Sequence, residues 1–75
     1  MIIIDVEASG TDYKKHSIVS IGALDFDNQS NRFYGECRIW NGAHIMEGAL
    51  EINGYTEENI TDISKPTEAE LVQSF

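Results

Sequence analysis

Hydrophobic and polar positions along this chain change their spacing once, after the third apolar run. Before that point the period is two. Residues 2–7 of "MIIIDVEASG" form an apolar run closed by Ser9 and Gly10, which predicts a first strand built for a core. The polar turn "TDYKKH" leads to "SIVSIGALDF" as a second strand. Ile18, Ser20, Gly22, Leu24 and Phe26 fall on one face of it, and Val19, Ile21, Ala23 and Asp25 on the other. Apolar residues on both faces predict a strand at least partly covered on both sides. "DNQSN" is a cluster of turn formers, and "RFYGECRIW", residues 32–40, reads as a third strand. Connections this short join antiparallel neighbours, so a three-stranded antiparallel meander is expected.

The spacing then becomes helical. In "IMEGALEING", residues 45–54, Ile45, Ala49, Leu50 and Ile52 share one helical face, and Gly54 after Asn53 is placed as a left-handed stop. Thr56 is positioned to cap a short turn, "EENI". Pro66 punctuates, and Thr67 with Glu70 forms a capping-box signature for a last helix with Leu71, Val72 and Phe75 on one face. No C-cap signal follows, so the sequence reads as stopping within that helix.

Asp5 and Glu7 are out of place at the end of an apolar strand. Side chains at i and i+2 of a strand point to one face, about 6.5–7 Å apart along the chain. Burying either carboxylate without a partner costs several kcal/mol. A cation between them resolves the conflict, and hard divalent ions such as Mg²⁺ or Mn²⁺ prefer carboxylate oxygens. Two such ions about 3.5–4 Å apart activate a water and stabilise the leaving oxygen in phosphodiester hydrolysis. The plainer alternative is a strand that has reached solvent, where acids cost little.

Three stretches bear on that choice. "IIIDVEASG" followed by "HSIVSIGALDF" resembles the first motif of the DEDD-type 3′→5′ exonucleases, the family of proofreading subunits of bacterial replicative polymerases, RNase T and oligoribonuclease. The matching elements are Asp5-Val6-Glu7, Ser9-Gly10, and Ile18, Ile21, Gly22 and Ala23. "ALEINGYTEENI" is similar to the family's helix and turn of the form A-L-x-I-H-G-I-T. The resemblance covers essentially the whole chain, in order.

It implies an α/β, ribonuclease H-like fold, of which residues 1–75 form the N-terminal part: the meander followed by helices. It implies that Asp5 and Glu7 hold two catalytic Mg²⁺ or Mn²⁺ ions, with Glu7 also near the attacking water. Val6, Ala8, Ser9 and Gly10 would lie beside the terminal nucleotide, and Ile52, Asn53 and Gly54 near the 3′ end of single-stranded DNA or RNA. Asn53 stands where the family usually has His, and Ala8 where Thr is common. Two further Asp and a general-base His or Tyr belong to later motifs that this sequence does not contain. In the implied fold the first strand is central, flanked by a parallel strand from those later motifs. Without it, "IIIDV" is left with an unpaired apolar edge, and a homo-oligomer through the first strand is expected.

Composition sharpens the picture. Seventy-five residues allow one domain at most, near the size where a single core is marginal. "MIII" is too short for a membrane span and lacks a basic leader, so the chain is expected in the cytoplasm, away from membranes. Cys37 is the only cysteine, which excludes an internal disulfide, and it reads as a small buried hydrophobe. Net charge is −8, with five Lys and Arg against thirteen Asp and Glu, which argues against broad adhesion to nucleic acid.

Weaker signals stay structural. Asp12, Asp25, Asp27 and Asp62 are not at family positions and read as turn or surface acids. His16 and His44 read as surface loop residues. Tyr13, Trp40 and Tyr55 have the chemistry to stack on bases, though aromatics beside strand ends are more often lids on a core. "DFDNQSNRFYGE" has acids at calcium-loop positions, but it lacks the central Gly and lies between strands, which rejects it. An actin-like ATPase also opens with a strand ending in Asp, but it favours Gly and Thr directly after that Asp, and Glu7 speaks against it. The remaining rival is a non-catalytic fragment or interaction module that keeps the exonuclease scaffold.

Overall fold

The computed structural model describes residues 1–75. Three strands, β1 (Ile2–Ala8), β2 (Ile18–Asp25) and β3 (Arg32–Glu36), form one antiparallel sheet in the order β1-β2-β3. Three short helices follow: α1 (Ala49–Asn53), α2 (Glu57–Ile60) and α3 (Glu68–Ser74). The architecture is a small α/β domain, and no helix is long and apolar enough to cross a membrane.

The third strand is shorter than its apolar pattern predicts. Cys37 N–H still reaches Val19 C=O (3.0 Å), but Arg38 N–H turns to Pro66 C=O (2.9 Å) and Ile39 N–H to Ile60 C=O (2.8 Å). From Arg38 the chain therefore leaves the sheet, and Arg38 and Ile39 satisfy their N–H groups on the C-terminal half. The helix expected over residues 45–54 is likewise only Ala49–Asn53. Gly48, at φ 83°, sits in the left-handed region and breaks the helical path. Upstream of it the chain is extended: His44 N–H bonds to Lys15 C=O (2.6 Å) and Met46 N–H to Ser9 C=O (2.7 Å). Ile45 thus lies off the helix, and Ile52, expected to face inward, is 86% exposed. The helix ends are as the sequence reads. Gly54 closes α1 at φ 77°, and capping boxes Thr56/Asn59 and Thr67/Glu70 open α2 and α3.

Strand register sorts the side chains. Residues paired across an antiparallel ladder share a face, so Ile2, Ile4, Val6, Ile21, Ala23, Phe33 and Gly35 lie on one face. Ile3, Asp5, Glu7, Ser20, Gly22, Leu24, Tyr34 and Glu36 lie on the other. Helix α3 packs on the first face, where Leu71, Ile21 and Cys37 form the buried core beside Ile18 and Phe33. The Phe33 and Phe75 rings meet edge to face at 5.5 Å. Gly35 permits this approach, since a Cβ there would lie 2.5 Å from Leu71 Cδ1. The Glu68 carboxylate fastens α3 to β2 by accepting from Ile18 N–H (2.7 Å) and Ser17 Oγ–H (3.0 Å).

This cover stops at β2 and β3. A seven-residue helix spans only about 10 Å. Ile2, Ile3, Ile4 and Val6 are 55%, 46%, 53% and 46% exposed, so the strand with the most apolar sequence is an edge strand.

Candidate functional site

The end of β1 places the two candidate carboxylates. Asp5 pairs with Gly22 and Glu7 with Ser20, which sets both on the face opposite α3. The register slips between Glu7 and Ala8, with Val19 as the extra residue on β2. That bulge turns Val19 into the core, 1% exposed, and ends regular pairing just past Glu7. Neither the Asp5 nor the Glu7 side chain has a hydrogen bond or ion pair within the chain.

Beyond the bulge the loop is rigidly tied. Ser9 is fully buried: its N–H donates to Ser17 C=O (2.8 Å), its hydroxyl to His44 C=O (2.7 Å), and its Oγ accepts from Ser17 N–H (3.0 Å). Ser9 therefore supports the loop from beneath and presents no group to solvent. Gly10 faces the His16 ring so closely that a Cβ would lie 2.3 Å from it. His16, expected as a loop bystander, is half-buried, and its Nδ1 accepts from Asp12 N–H (3.0 Å).

Helix α1 closes the other side. The Asn53 amide donates from Nδ2 to Ala8 C=O (3.1 Å), joining the helix end to the strand end. Between them lies an open cleft of about 290 Å³, lined by Val6, Glu7, Ala8, Gly10, Ile52 and Asn53, with Thr11, Met46, Glu47 and Ala49 completing it. Most residues the sequence singles out thus meet around one depression. Asp5, Ser9 and Gly54 do not line it. Asp5 opens instead onto a neighbouring shallow cavity of about 270 Å³ beside Ile3, Gly22, Leu24 and Arg32.

The donor set suits a hard cation in type: two oxygen-only ligands on one face, both free of internal partners. It is incomplete in number. No group of three or more His, Cys, Asp or Glu side chains converges anywhere in the chain.

The sequence did not reveal a second polar cluster on the same face. Glu36 lies across Ser20 from Glu7 in the sheet. Its Oε1 is 2.8 Å from Lys65 Nζ, and its Oε2 accepts from the Tyr34 hydroxyl (2.8 Å). The Tyr34 and Tyr55 hydroxyls are 3.0 Å apart, and Lys65 sits 6.0 Å over the Tyr55 ring. Lys65 and then Tyr34 hold the Glu36 carboxyl below its ordinary range. Bonds to Tyr55 and then Glu36 push the Tyr34 phenol upward. The alternation Tyr34-x-Glu36 was the one visible signal.

The four Asp residues outside the family positions make local bonds. Asp12, Asp25 and Asp62 accept from the backbone N–H two residues on, at 3.0, 3.0 and 2.9 Å, and Asp27 accepts from the Met1 amine (2.9 Å). Tyr13 is 84% exposed, whereas Trp40 and Tyr55 are half-buried. No family model matches the chain, and no curated protein matches its sequence.

Proposed function

We propose that this chain is the first part of a metal-dependent 3′→5′ exonuclease of the DEDD type, with the ribonuclease H-like arrangement that its motifs imply. One observation carries the reading. Asp5 and Glu7 stand on one open face of β1 with no internal partner, Glu7 lining the cleft that Asn53 ties to the strand end and Asp5 opening onto the shallow cavity beside it.

In this reading Asp5 and Glu7 hold Mg²⁺ or Mn²⁺ through their carboxylate oxygens. The ions, when bound, supply an activated water and charge stabilisation for phosphodiester hydrolysis. The chain's own groups do the positioning. Val6, Ala8 and Gly10 form the wall along which a terminal nucleotide of single-stranded DNA or RNA lies. Ile52 offers an exposed apolar surface to a base or sugar, and Asn53 fixes the helix against that wall. Two carboxylates of a four-carboxylate set give weak metal binding and, without the general base of the later motifs, no appreciable cleavage. A non-catalytic scaffold is the second reading, favoured by the lack of a third converging ligand.

Mn²⁺ titration followed by paramagnetic broadening of amide signals tests the site. Weak binding is expected, with broadening centred on residues 5–10 and lost in Asp5→Asn. Tight binding that survives Asp5→Asn, or broadening centred on the acidic residues after Met46, rejects it. Metal-dependent trimming of a labelled oligonucleotide by the chain alone, abolished by Glu7→Gln, rejects the expectation of inactivity.

A further inference from the structure

We propose that the site face of β3 is a second nucleotide subsite, with Tyr34 as a stacking platform for a base and Arg32 as its phosphate contact. The inference rests on the nuclease reading for the class of substrate. It adds the residues that hold the nucleotide on the far side of the scissile phosphate.

The sheet register draws the path. Asp5 pairs with Gly22 and Gly22 with Tyr34, so the three residues form one row across the site face. The middle position has no side chain. A Cβ at Gly22 would stand 3.8 Å from the Asp5 carbonyl oxygen and 3.9 Å from Tyr34 Cδ1, so its absence leaves the row open between carboxylate and ring. The neighbouring row, Ile3, Leu24 and Arg32, borders the same shallow cavity of about 270 Å³ onto which Asp5 opens. Two strand spacings, about 10 Å, separate Asp5 from Tyr34. A phosphate held at Asp5 and Glu7 thus has the Asn53 cleft on one side and this trough on the other.

Tyr34 is open to solvent but not free to move. It is 64% exposed, yet its hydroxyl donates to Glu36 Oε2 (2.8 Å) and lies 3.0 Å from the Tyr55 hydroxyl. Lys65 fixes the other oxygen of Glu36 at 2.8 Å. A ring pinned at its tip stacks on a base with little further loss of side-chain freedom. Tyr13, the more exposed tyrosine, has no such bond on its hydroxyl, and Tyr55 spends its own on Tyr34.

The charges on this side favour a phosphate. Arg32 Nε and Nη2 both donate to Gln29 C=O (3.1 and 2.9 Å), which fixes the guanidinium, and no carboxylate of the chain pairs with it. Glu36, the only acid of β3, is already paired with Lys65. In a chain of net charge −8, β3 and the groups bonded to it therefore carry more cation than anion.

NMR titration of the full chain in Mg²⁺ at low salt compares thymidine and uridine 5′-monophosphates with the corresponding tetranucleotides. Both kinds of ligand should shift amides of residues 5–10 and 52–54, and only a tetranucleotide those of residues 32–34. Tyr34→Leu should weaken tetranucleotide binding about fivefold or more and leave the monophosphate unchanged. Tyr34→Phe keeps the ring and should lose less. Arg32→Gln should lower the slope of log K against log salt for the tetranucleotide by about 0.7, the contribution of one phosphate on a single strand. Tyr13→Leu should change neither ligand. Shifts at residues 5–10 with none at residues 32–34 overturn the inference and leave the nuclease reading standing. So does a Tyr34→Leu chain that binds the tetranucleotide as the parent does, or that loses both ligands equally. No shift with any ligand rejects the nuclease reading and the subsite together. If Tyr34→Leu does not fold, the Arg32→Gln slope decides, and an unchanged slope overturns the inference.

Discussion

Gly35→Ala tests the packing that holds the helical layer to the sheet. The added Cβ lands 2.5 Å from Leu71 Cδ1 and 3.3 Å from Phe33 Cζ, well inside contact distance. A leucine tip on a surface would swing aside. This one is 3% exposed and packed with Ile21 and Cys37, and Phe33 closes the other side. The helix has little freedom to lift, because Glu68 bonds to both Ile18 and Ser17. Overpacking of this kind costs about 1–3 kcal/mol. In a domain of this size that lowers Tm by about 5–15 °C. Thermal unfolding by circular dichroism measures the shift.

The companion variant isolates the cause. Leu71→Ala alone costs about 2–5 kcal/mol as a cavity, but combined with Gly35→Ala the new methyl enters the space vacated. The double variant should therefore be more stable than the sum of the singles requires, by about 1–2 kcal/mol of coupling. A Gly35→Ala protein that melts with the parent, or strictly additive effects, would show that Leu71 does not pack over Gly35. The Mn²⁺ response of Asp5 and Glu7 should be unchanged in Gly35→Ala below its melting point, since the clash lies on the opposite face of the sheet.

Two further outcomes follow from side chains outside the cleft. The Glu36 carboxyl is held low by Lys65, so its contribution is complete above the ordinary value of 4.5 and is lost as pH falls through the folded-state value. Lys65→Met should make urea stability fall less steeply with acidification in that window, and an unchanged acid limb would refute the pairing. The Cys37 thiol, pushed up to about 11 mainly by burial, should resist thiol reagents near neutral pH until the chain unfolds. Labelling faster than global unfolding would show that the core opens locally.

What was legible in the sequence was local. The meander followed from a period of two interrupted by turn formers, and the caps of α2 and α3 from Thr56 and from Thr67 with Glu70, whose bonds span three residues. The misreadings were long-range. "CRIW" has the composition of a strand, yet after Cys37 the backbone partners of Arg38 and Ile39 are Pro66 and Ile60, from segments with no strand pattern. "IMEG" has helical spacing, but Met46 is bound to Ser9, and Gly48, tolerable within a helix, instead supplies a left-handed turn. At the site, Asp5 and Glu7 were visible because acids end an apolar run. The Glu36–Lys65 pair was not, because nothing local in either stretch announces the other.

Parity along β1 explains how one short strand carries both an acidic site and an apolar edge. The odd residues Ile3, Asp5 and Glu7 direct their backbone groups into the β2 ladder and their side chains to the open face. The even residues Ile2, Ile4 and Val6 direct their backbone groups outward and their side chains to the α3 face. A one-residue slip would exchange the two sets, carrying the carboxylates onto the apolar face and the isoleucines onto the site face. The bulge at Val19 falls just past Glu7, where the alternation is no longer needed, and from there the chain turns to the Ser9 loop. Substitutions at even positions therefore leave the carboxylates in place, and substitutions at positions 5 and 7 change the carboxylates without changing the apolar face. If Ile4→Pro abolished Mn²⁺ broadening, or Asp5→Asn left it intact, that division of roles along the strand would be wrong.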